Sequence, residues 1–327
     1  LVINTIVEGL TLDDVLYIVI PCYNEQEVLP ETARRIGEKI GGLIEDGKIS
    51  DRSRVVFVDD GSRDNTWNQI AALHEKDRHF SGIKLSRNRG HQNALMAGLL
   101  SSVDSADMVI SMDADLQDDI NAIDEMVEKY YEGCDVVYGV RKSREKDSFF
   151  KRFTAEGYYK LITAIGGEIV YNHADYRLLS KRALKALAQF GETNLFLRGL
   201  VPMLGFKSAV VTYDRSERFA GQSKYSVKKM LGLAVDGITS LSAKPIRMVL
   251  SIGAIIFILG LIALIYALIL SITGGFFPGW AVTTVSVWAC AGLIMISIGI
   301  VGEYVGKIYL ETKRRPRYII DAVLHHD

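Results

Sequence analysis

Between Arg247 and Glu303 the chain carries no Asp, Glu, Lys or Arg. Few architectures can absorb such a stretch. Two apolar runs fill it, near Met248–Ser271 and Ala281–Gly302, and each exceeds the roughly 20 residues a helix needs to cross a bilayer. The linker ITGGFFPGW holds helix breakers and interfacial aromatics, as a tight membrane hairpin requires. A helical hairpin buried in a soluble core is the alternative such runs leave open. Lys244 and Arg247 precede the first run, while Lys307, Lys313, Arg314, Arg315 and Arg317 follow the second. The linker has no positive charge, so both flanks are expected on the cytoplasmic side. Gly302 and Gly306 leave a small-residue face on the second run, and self-association through the membrane helices is expected there.

The rest of the chain has a different character. Its net charge of −1 gives no global basic field, which argues against nucleic acid as a partner. Cys22, Cys134 and Cys290 show neither metal spacing nor a disulfide framework, and read as small apolar residues in a reducing compartment. YIVIP (17–21), RVVFVDD (54–60), GIKLS (82–86), DMVISMD (107–113) and DVVYGVR (135–141) read as strands buried on both faces. Amphipathic segments separate them; one, after Asp119, keeps Ile120, Ile123, Met126, Val127 and Tyr130 on one stripe and stops at Gly133. Such alternation predicts a mostly parallel sheet covered by helices, with ligands held beyond the carboxyl ends of the strands. PCYNE, DDGS, LSRN and DADLQ all fall at such ends, so four polar clusters converge on one crevice.

VISMDADLQDD (109–119) is the densest of them. Like charges so close repel one another, and something must offset the repulsion. Asp118 or Asp119 suits the N-terminus of the following helix as a cap. Asp113 and Asp115 sit at the strand end itself. For them two readings stand open from this stretch: a solvated loop, or hard oxygen ligands to a divalent cation whose shell a diphosphate completes. The convergence of the four clusters favours the second. Asp60 and Asp64 suit turn and cap positions as well as ligand contacts. His91, at a helix start and without a metal-type partner in sequence, reads as structural.

VIPCYNEQ, VDDGSRDNT, LSRNRGHQNALMAGL, DADLQD, GVRKSR and RFAGQSKYS follow one another in an order and spacing that resembles the family 2 glycosyltransferases with the GT-A fold. The similarity is strongest to polyprenyl-phosphate glycosyltransferases, the dolichol-phosphate mannose synthases and bacterial undecaprenyl-phosphate glucosyltransferases. It covers roughly residues 16–245, and paired C-terminal spans fit the bacterial members. The resemblance implies a GT-A, Rossmann-like, mostly parallel α/β sheet with helices on both faces, juxtamembrane amphipathic helices and a two-helix transmembrane hairpin. It divides the chain into an N-terminal tail (1–15) and a cytoplasmic catalytic domain (16–222) with an amphipathic interface helix near 149–165. A juxtamembrane helix (223–245), two membrane helices (246–305) and a basic cytoplasmic tail (306–327) follow.

Position by position, the resemblance implies that Pro21, Tyr23, Asn24 and Glu25 line the nucleotide site with Asp59 beside the base. Asp113, Asp115 and Gln117 would bind Mg²⁺ or Mn²⁺ against the donor diphosphate, with Asp113 near ribose or metal. Arg141, at a strand exit, suits a phosphate by its bidentate geometry. Arg218, Ser223 and Lys224 would close a second anion site near the membrane; lipid head groups are the other role open to Arg218 and Lys224. Asp175 stands where the family has a candidate catalytic base, and Arg177 beside it is a candidate substrate contact. Two departures stand out. NHADYRLLS (172–180) replaces a small-Gly-Asp-Phe-Arg pattern while keeping Asp175 and Arg177, which leaves open how this acceptor loop bends, and Asp119 stands where proline is usual.

The implied reaction is inverting transfer of a hexose from a nucleotide sugar to a polyprenyl phosphate at the cytoplasmic face of the bacterial inner membrane. UDP-glucose and undecaprenyl phosphate are the expected pair, and GDP-mannose is the alternative donor. A processive synthase would carry Gln-x-x-Arg-Trp, and none of Trp67, Trp280 and Trp288 follows an Arg. A membrane scaffold that binds nucleotide sugar without turnover is the rival of another class. A transporter lacks support, since neither span offers a charge for a polar path.

Overall fold

The computed structural model describes residues 13–142, 173–192, 195–214 and 279–326, with scattered positions between 249 and 273. The expected amphipathic helices at 149–165 and 223–245, together with Arg218, Ser223 and Lys224, lie outside the described residues.

Strands β1 (Leu16–Cys22), β2 (Arg54–Asp59), β3 (Phe80–Leu85), β4 (Met108–Ser111) and β5 (Val136–Arg141) form where the apolar runs predict them. Three more join the sheet: β6 (His173–Ser180), β7 (Ser208–Tyr213) and β8 (Ile320–Leu324). The spatial order is β7-β5-β6-β4-β1-β2-β3-β8. The pairs β4–β1, β1–β2, β2–β3 and β5–β7 are parallel, so the sheet is mostly parallel as expected. β6 runs antiparallel between β4 and β5, and β8 antiparallel to β3.

Helices α1 (Leu29–Glu45), α2 (Thr66–Lys76) and α4 (Ala122–Tyr131) cover one face of the sheet, and α3 (His91–Ser101), α5 (Lys181–Leu187) and α6 (Leu197–Met203) the other. β1 shows why. All of its residues are buried, with Leu16, Ile18 and Ile20 on one side and Tyr17 and Val19 on the other. Each fully buried aliphatic side chain contributes about 1.5–3 kcal/mol of transfer free energy, which only a helix on each face can supply. α3 approaches β1 and β2 through Gly98, where an added Cβ would lie 2.3 Å from Val19 Cγ1 and 2.8 Å from Val58 Cγ2. Gly98→Ala is therefore expected to destabilise the domain by about 1–3 kcal/mol through overpacking, read as a lower thermal unfolding midpoint.

The C-terminal region corrects one expectation. Helix α7 (Gly279–Thr312) has 34 residues, about 51 Å at 1.5 Å per residue, and continues well past the charge-free run. Among the described residues it contains the one stretch, Cys290–Thr312, that is long and apolar enough to cross a membrane. Ile294, Met295, Ile298 and Val301 are exposed along it, as lipid-facing residues would be. The last segment is more than a basic tail. After Arg314, in the left-handed region at φ 45°, the chain returns to the sheet, where Ser86 N donates to Ile319 O and β8 pairs with β3. Arg317 donates to the carbonyl of Phe190. Five basic side chains dominate the composition here and conceal a short edge strand.

Candidate active site

The carboxyl ends of the parallel strands β1, β2, β3 and β4 lie along one edge of the sheet, and hydrogen bonds lace their loops together. Asn24, in the left-handed region at φ 51°, receives a bond from Arg63 N (2.9 Å) and donates its own N–H to Ser62 Oγ (2.9 Å). Glu25 N donates to Thr66 Oγ1 at 3.0 Å, which holds the Pro21–Glu25 turn against the loop after β2. Asp64 accepts from Thr66 N and Gln26 N, so it is a turn residue. Asp60 is one too: its carboxylate takes Arg89 N at 2.7 Å and Gly90 N at 2.8 Å, bracing the LSRN loop. Gly61 (φ +66°) lets that loop close, since a Cβ there would meet the Arg87 backbone at 2.6 Å.

Asp59 is fully buried at the end of β2. Ser62 N donates to its Oδ1 at 3.1 Å, while Oδ2 has no hydrogen-bond partner among the described residues. Burial pushes the carboxyl up, against the hydrogen bond from Ser62. A buried acceptor left open in this way suits a donor N–H from a ligand.

The acidic exit of β4 is anchored by Thr32, whose hydroxyl donates to Ala114 O at 2.8 Å. Leu116 takes φ 56° and Gln117 N donates to Asp115 Oδ1 at 3.2 Å, so Asp115 and Gln117 share one tight turn. Asp118 and Asp119 do not cap α4 as expected. Asn121 is the N-cap, with no side-chain cap bond, and Asp119 accepts from Asn121 N to close the turn before it. Asp118 is buried below: Tyr213 Oη donates to its Oδ1 at 2.5 Å and Arg141 Nη2 lies 3.3 Å away. Arg141 Nε also donates to Tyr213 Oη at 3.3 Å. Burial and Asp118 hold the Tyr213 hydroxyl up in its protonated, donating form. The Arg141 side chain is thus held in place by a carboxylate and a phenol from β7.

Where the sequence left open how the acceptor loop bends, His173–Ser180 forms the strand β6. Its register sets Ser111 opposite Arg177, so an antiparallel strand brings Asp175 to the end of β4 just where Asp113 emerges. Ser111 Oγ donates to the Asp175 carbonyl at 2.5 Å. Arg177 Nη2 lies 2.6 Å from Asp175 Oδ1 and Arg198, from α6, grips both oxygens at 3.3 and 3.2 Å. Burial opposes the charge of Asp175, but Arg198, Arg177 and His91 outweigh it and hold the carboxyl well below the usual carboxylate range. Arg177, expected to meet substrate, has a side chain only 2% exposed. It donates to Asp175 and to Leu197 O, and so acts as a prop beneath the site.

His91 belongs to the site after all. Its Nε2 stands 3.5 Å from Asp113 Oδ1 and 3.7 Å from Asp175 Oδ2, bridging the two acidic positions. Desolvation pushes Asp113 up to about 6; His91 opposes the shift, and Asp118, Asp175 and Asp115 add to it. A raised acid binds its extra proton in the folded state, so stability falls as pH rises from about 4 through about 6. Asp113→Asn is expected to raise the unfolding midpoint of metal-free protein above pH 7 and leave it unchanged near pH 4. Because the side chain is 37% exposed, solvent screening reduces the gain to about 1 kcal/mol.

The model of the Glycosyl transferase family 2 domain matches residues 17–188, slightly more than half of the chain. The chain belongs to glycosyltransferase family 2. Relatives of this family 2 glycosyltransferase match over nearly its full length. The Bacillus subtilis protein called uncharacterized glycosyltransferase YkoT is 51% identical, with 96% of this chain and 93% of that protein covered. The prophage bactoprenol glucosyl transferase homolog of Escherichia coli K12 is 37% identical, with 94% and 98% covered. The bactoprenol glucosyl transferase of Shigella phage SfV is 38% identical, with 93% and 97% covered. Among solved structures, mannosyl-3-phosphoglycerate synthase from Rubrobacter xylanophilus superposes with a TM-score of 0.50 at 16% identity, covering 72% of this chain and 74% of that one. It shares the fold.

In this glycosyltransferase, Tyr23, Asn24, Glu25 and Asp59 follow or end the neighbouring strands β1 and β2, and Asp113, Asp115, Gln117, Asp175 and Arg141 lie at the same edge of the sheet around β4, β6 and β5. Among the described residues, no three His, Cys, Asp or Glu side chains form a ready-made metal cage. The turn at Asp115 and Gln117 presents hard oxygens beside an acidic cluster. That donor set fits a cation which takes one or two carboxylates and completes its shell with substrate phosphates.

Proposed function

We propose that this glycosyltransferase moves a hexose, glucose from UDP-glucose, onto a polyprenyl phosphate at the cytoplasmic face of a membrane, with inversion at the anomeric carbon. The observation that carries the reading is the antiparallel β4–β6 junction. It sets the acidic exit Asp113–Gln117 beside an Asp175 gripped by two arginines, a cation-holding end against an anion-holding end. The names of the bactoprenol relatives point the same way. α7 and the charge-free region before it supply a membrane anchor, read as a two-helix hairpin with the catalytic domain and both termini in the cytoplasm.

The open Asp59 Oδ2 receives an N–H of the base, and the laced turn at Tyr23, Asn24 and Glu25 walls the nucleotide. Asp115 and Gln117, with Asp113, would hold Mg²⁺ or Mn²⁺, which when bound neutralises charge on the departing diphosphate. Arg141, clamped by Asp118 and Tyr213, presents its guanidinium to a phosphate without having to be ordered first. Arg218, Ser223 and Lys224 are assigned to a second anion site toward the membrane. An oxygen of the acceptor phosphate attacks the anomeric carbon as the bond to the nucleoside diphosphate breaks, and the diphosphate leaves with that electron pair. A phosphate monoester has its second pKa near about 6, so at neutral pH most of the acceptor is already the dianion and needs no base.

The test is a radiolabelled transfer assay with full-length protein in vesicles containing undecaprenyl phosphate. UDP-glucose and GDP-mannose are offered in parallel, and the lipid product is identified by mass spectrometry. A glucosylated lipid phosphate from UDP-glucose is expected. A mannosylated one would replace the donor assignment, and binding of either donor without any lipid product would establish the scaffold reading instead.

A further inference from the structure

We propose that Gln92, on the first turn of α3, is a positioning residue for the transfer reaction. It fixes the start of α6, and through Arg198 the carboxylate of Asp175, relative to Asp113. The inference rests on the functional reading above. The first N–H groups of a helix have no partner within it. In α6 that need falls on a short element of seven residues, whose N-cap Phe196 offers no side-chain bond. Leu197 is 1% exposed, so water does not serve its N–H. The acceptor comes from another helix: Leu197 N donates to Gln92 Oε1 at 3.1 Å, across 105 positions of sequence. Arg177 Nη1 donates to the carbonyl of the same residue at 3.2 Å. Leu197 is thus held at both backbone groups. The next residue is Arg198, which reaches Asp175 with Nε at 3.3 Å and Nη2 at 3.2 Å.

The other end of this link is anchored. His91, one residue before Gln92, sets its Nε2 3.5 Å from Asp113 Oδ1 and 3.7 Å from Asp175 Oδ2. Gly90 N donates to Asp60 Oδ2 at 2.8 Å, which ties the start of α3 to the loop after β2. Further along, Gly98 seats α3 against Val19 and Val58. α3 is therefore a fixed reference, and Gln92 passes its position on to α6. A buried N–H that loses its acceptor is costly to leave unmade. The backbone at Leu197 would move to find another, and Arg198 would move with it. Gln92 acts through these groups rather than on the reacting atoms.

The experiment measures kcat, the donor KM and the unfolding midpoint of Gln92→Leu and Gln92→Glu, in full-length protein in vesicles containing undecaprenyl phosphate, with UDP-glucose as donor. Leu has no polar atom, whereas Glu keeps an acceptor oxygen at the same reach. A small misplacement of an active-site group predicts a kcat lowered about 10–100-fold in Gln92→Leu. The donor KM is expected to stay within about twofold, because the β1–β2 loops are braced by their own bonds. Gln92→Glu is expected to recover most of the lost kcat. A lower unfolding midpoint with kcat unchanged would leave Gln92 a purely structural cap and overturns the proposal. So does a raised donor KM in place of the fall in kcat, or a Gln92→Glu variant as slow as Gln92→Leu. Should Gln92→Leu fail to fold, Gln92→Asn, whose amide stops one methylene short, takes its place under the same criteria. A wild-type protein that yields no glycosylated lipid overturns the functional reading, whereas a wild type that transfers beside an unimpaired Gln92→Leu overturns this inference alone.

Discussion

Asp115→Ala is expected to abolish glycosyl transfer, by about 10³-fold or more, while the protein folds and inserts as before. The loss follows from the chemistry assigned to the turn. A nucleoside diphosphate departs with charge that solvent-excluded protein alone stabilises poorly, and removal of one preorganised electrostatic partner commonly costs 10²–10³ in kcat; loss of a metal ligand removes more. Folding is expected to survive because Asp115 is only half-buried and lies in a turn outside the apolar core. The measurement is transfer as a function of added Mg²⁺ or Mn²⁺, with EDTA as the zero point. Wild type should lose activity in EDTA and regain it with metal, and the variant should respond to neither. Full activity of Asp115→Ala in EDTA would sink the metal assignment.

Asp175→Asn should slow transfer by about 10²–10³-fold, and the deficit should be the same from about pH 6 to about pH 9. The sequence reading leaned toward a base here. The structure supplies a reason to turn away from it. Arg198, Arg177 and His91 hold the carboxyl well below its ordinary range, and general-base efficiency falls as the base weakens. Asp175 is therefore expected to work by geometry, holding Arg177 below and Arg198 at the rim. The sign of its stability contribution agrees. A depressed acid stabilises the fold above its unfolded pKa and loses that contribution only in strong acid, so the fold-loss of the variant should not drift across neutral pH. Asn is the substitution to use, because it keeps the side-chain volume and an acceptor oxygen for Arg177, whereas Ala leaves that buried guanidinium beside a cavity with no acceptor in place of Asp175. A variant that recovers as pH rises toward 9, with donor binding intact, would restore the base role.

Much of the first half of the domain was legible. The runs 17–21, 54–60, 82–86, 107–113 and 135–141 became strands displaced by at most a few residues, because a strand buried on both faces must be apolar throughout, and that leaves a continuous trace in the chain. The loops at their ends were legible for the same reason, since polar residues punctuate apolar runs. Asp60 and Asp64 proved to be turn residues by bonding to backbone N–H groups. Asp118 was misread because capping needs only local spacing, whereas its partner Tyr213 lies 95 residues away. His91 looked structural because its partners, Asp113 and Asp175, come from two other elements.

The sequence by itself determined that an apolar, charge-free region follows a sheet whose carboxyl ends gather Asp59, Asp113 and Asp115 on one crevice. Periodicity and composition suffice for that, because each reports how much water a segment can tolerate. Only the tertiary structure decided that His173–Ser180 is an antiparallel strand between β4 and β5, and that the last strand returns from α7 to the edge of the sheet. The direction and register of a strand depend on which neighbour offers matching hydrogen bonds and side chains, and a single segment carries no record of its neighbour. The register of β6 against β4 places Asp175 beside Asp113, buries Arg177 and leaves Arg198 at the rim.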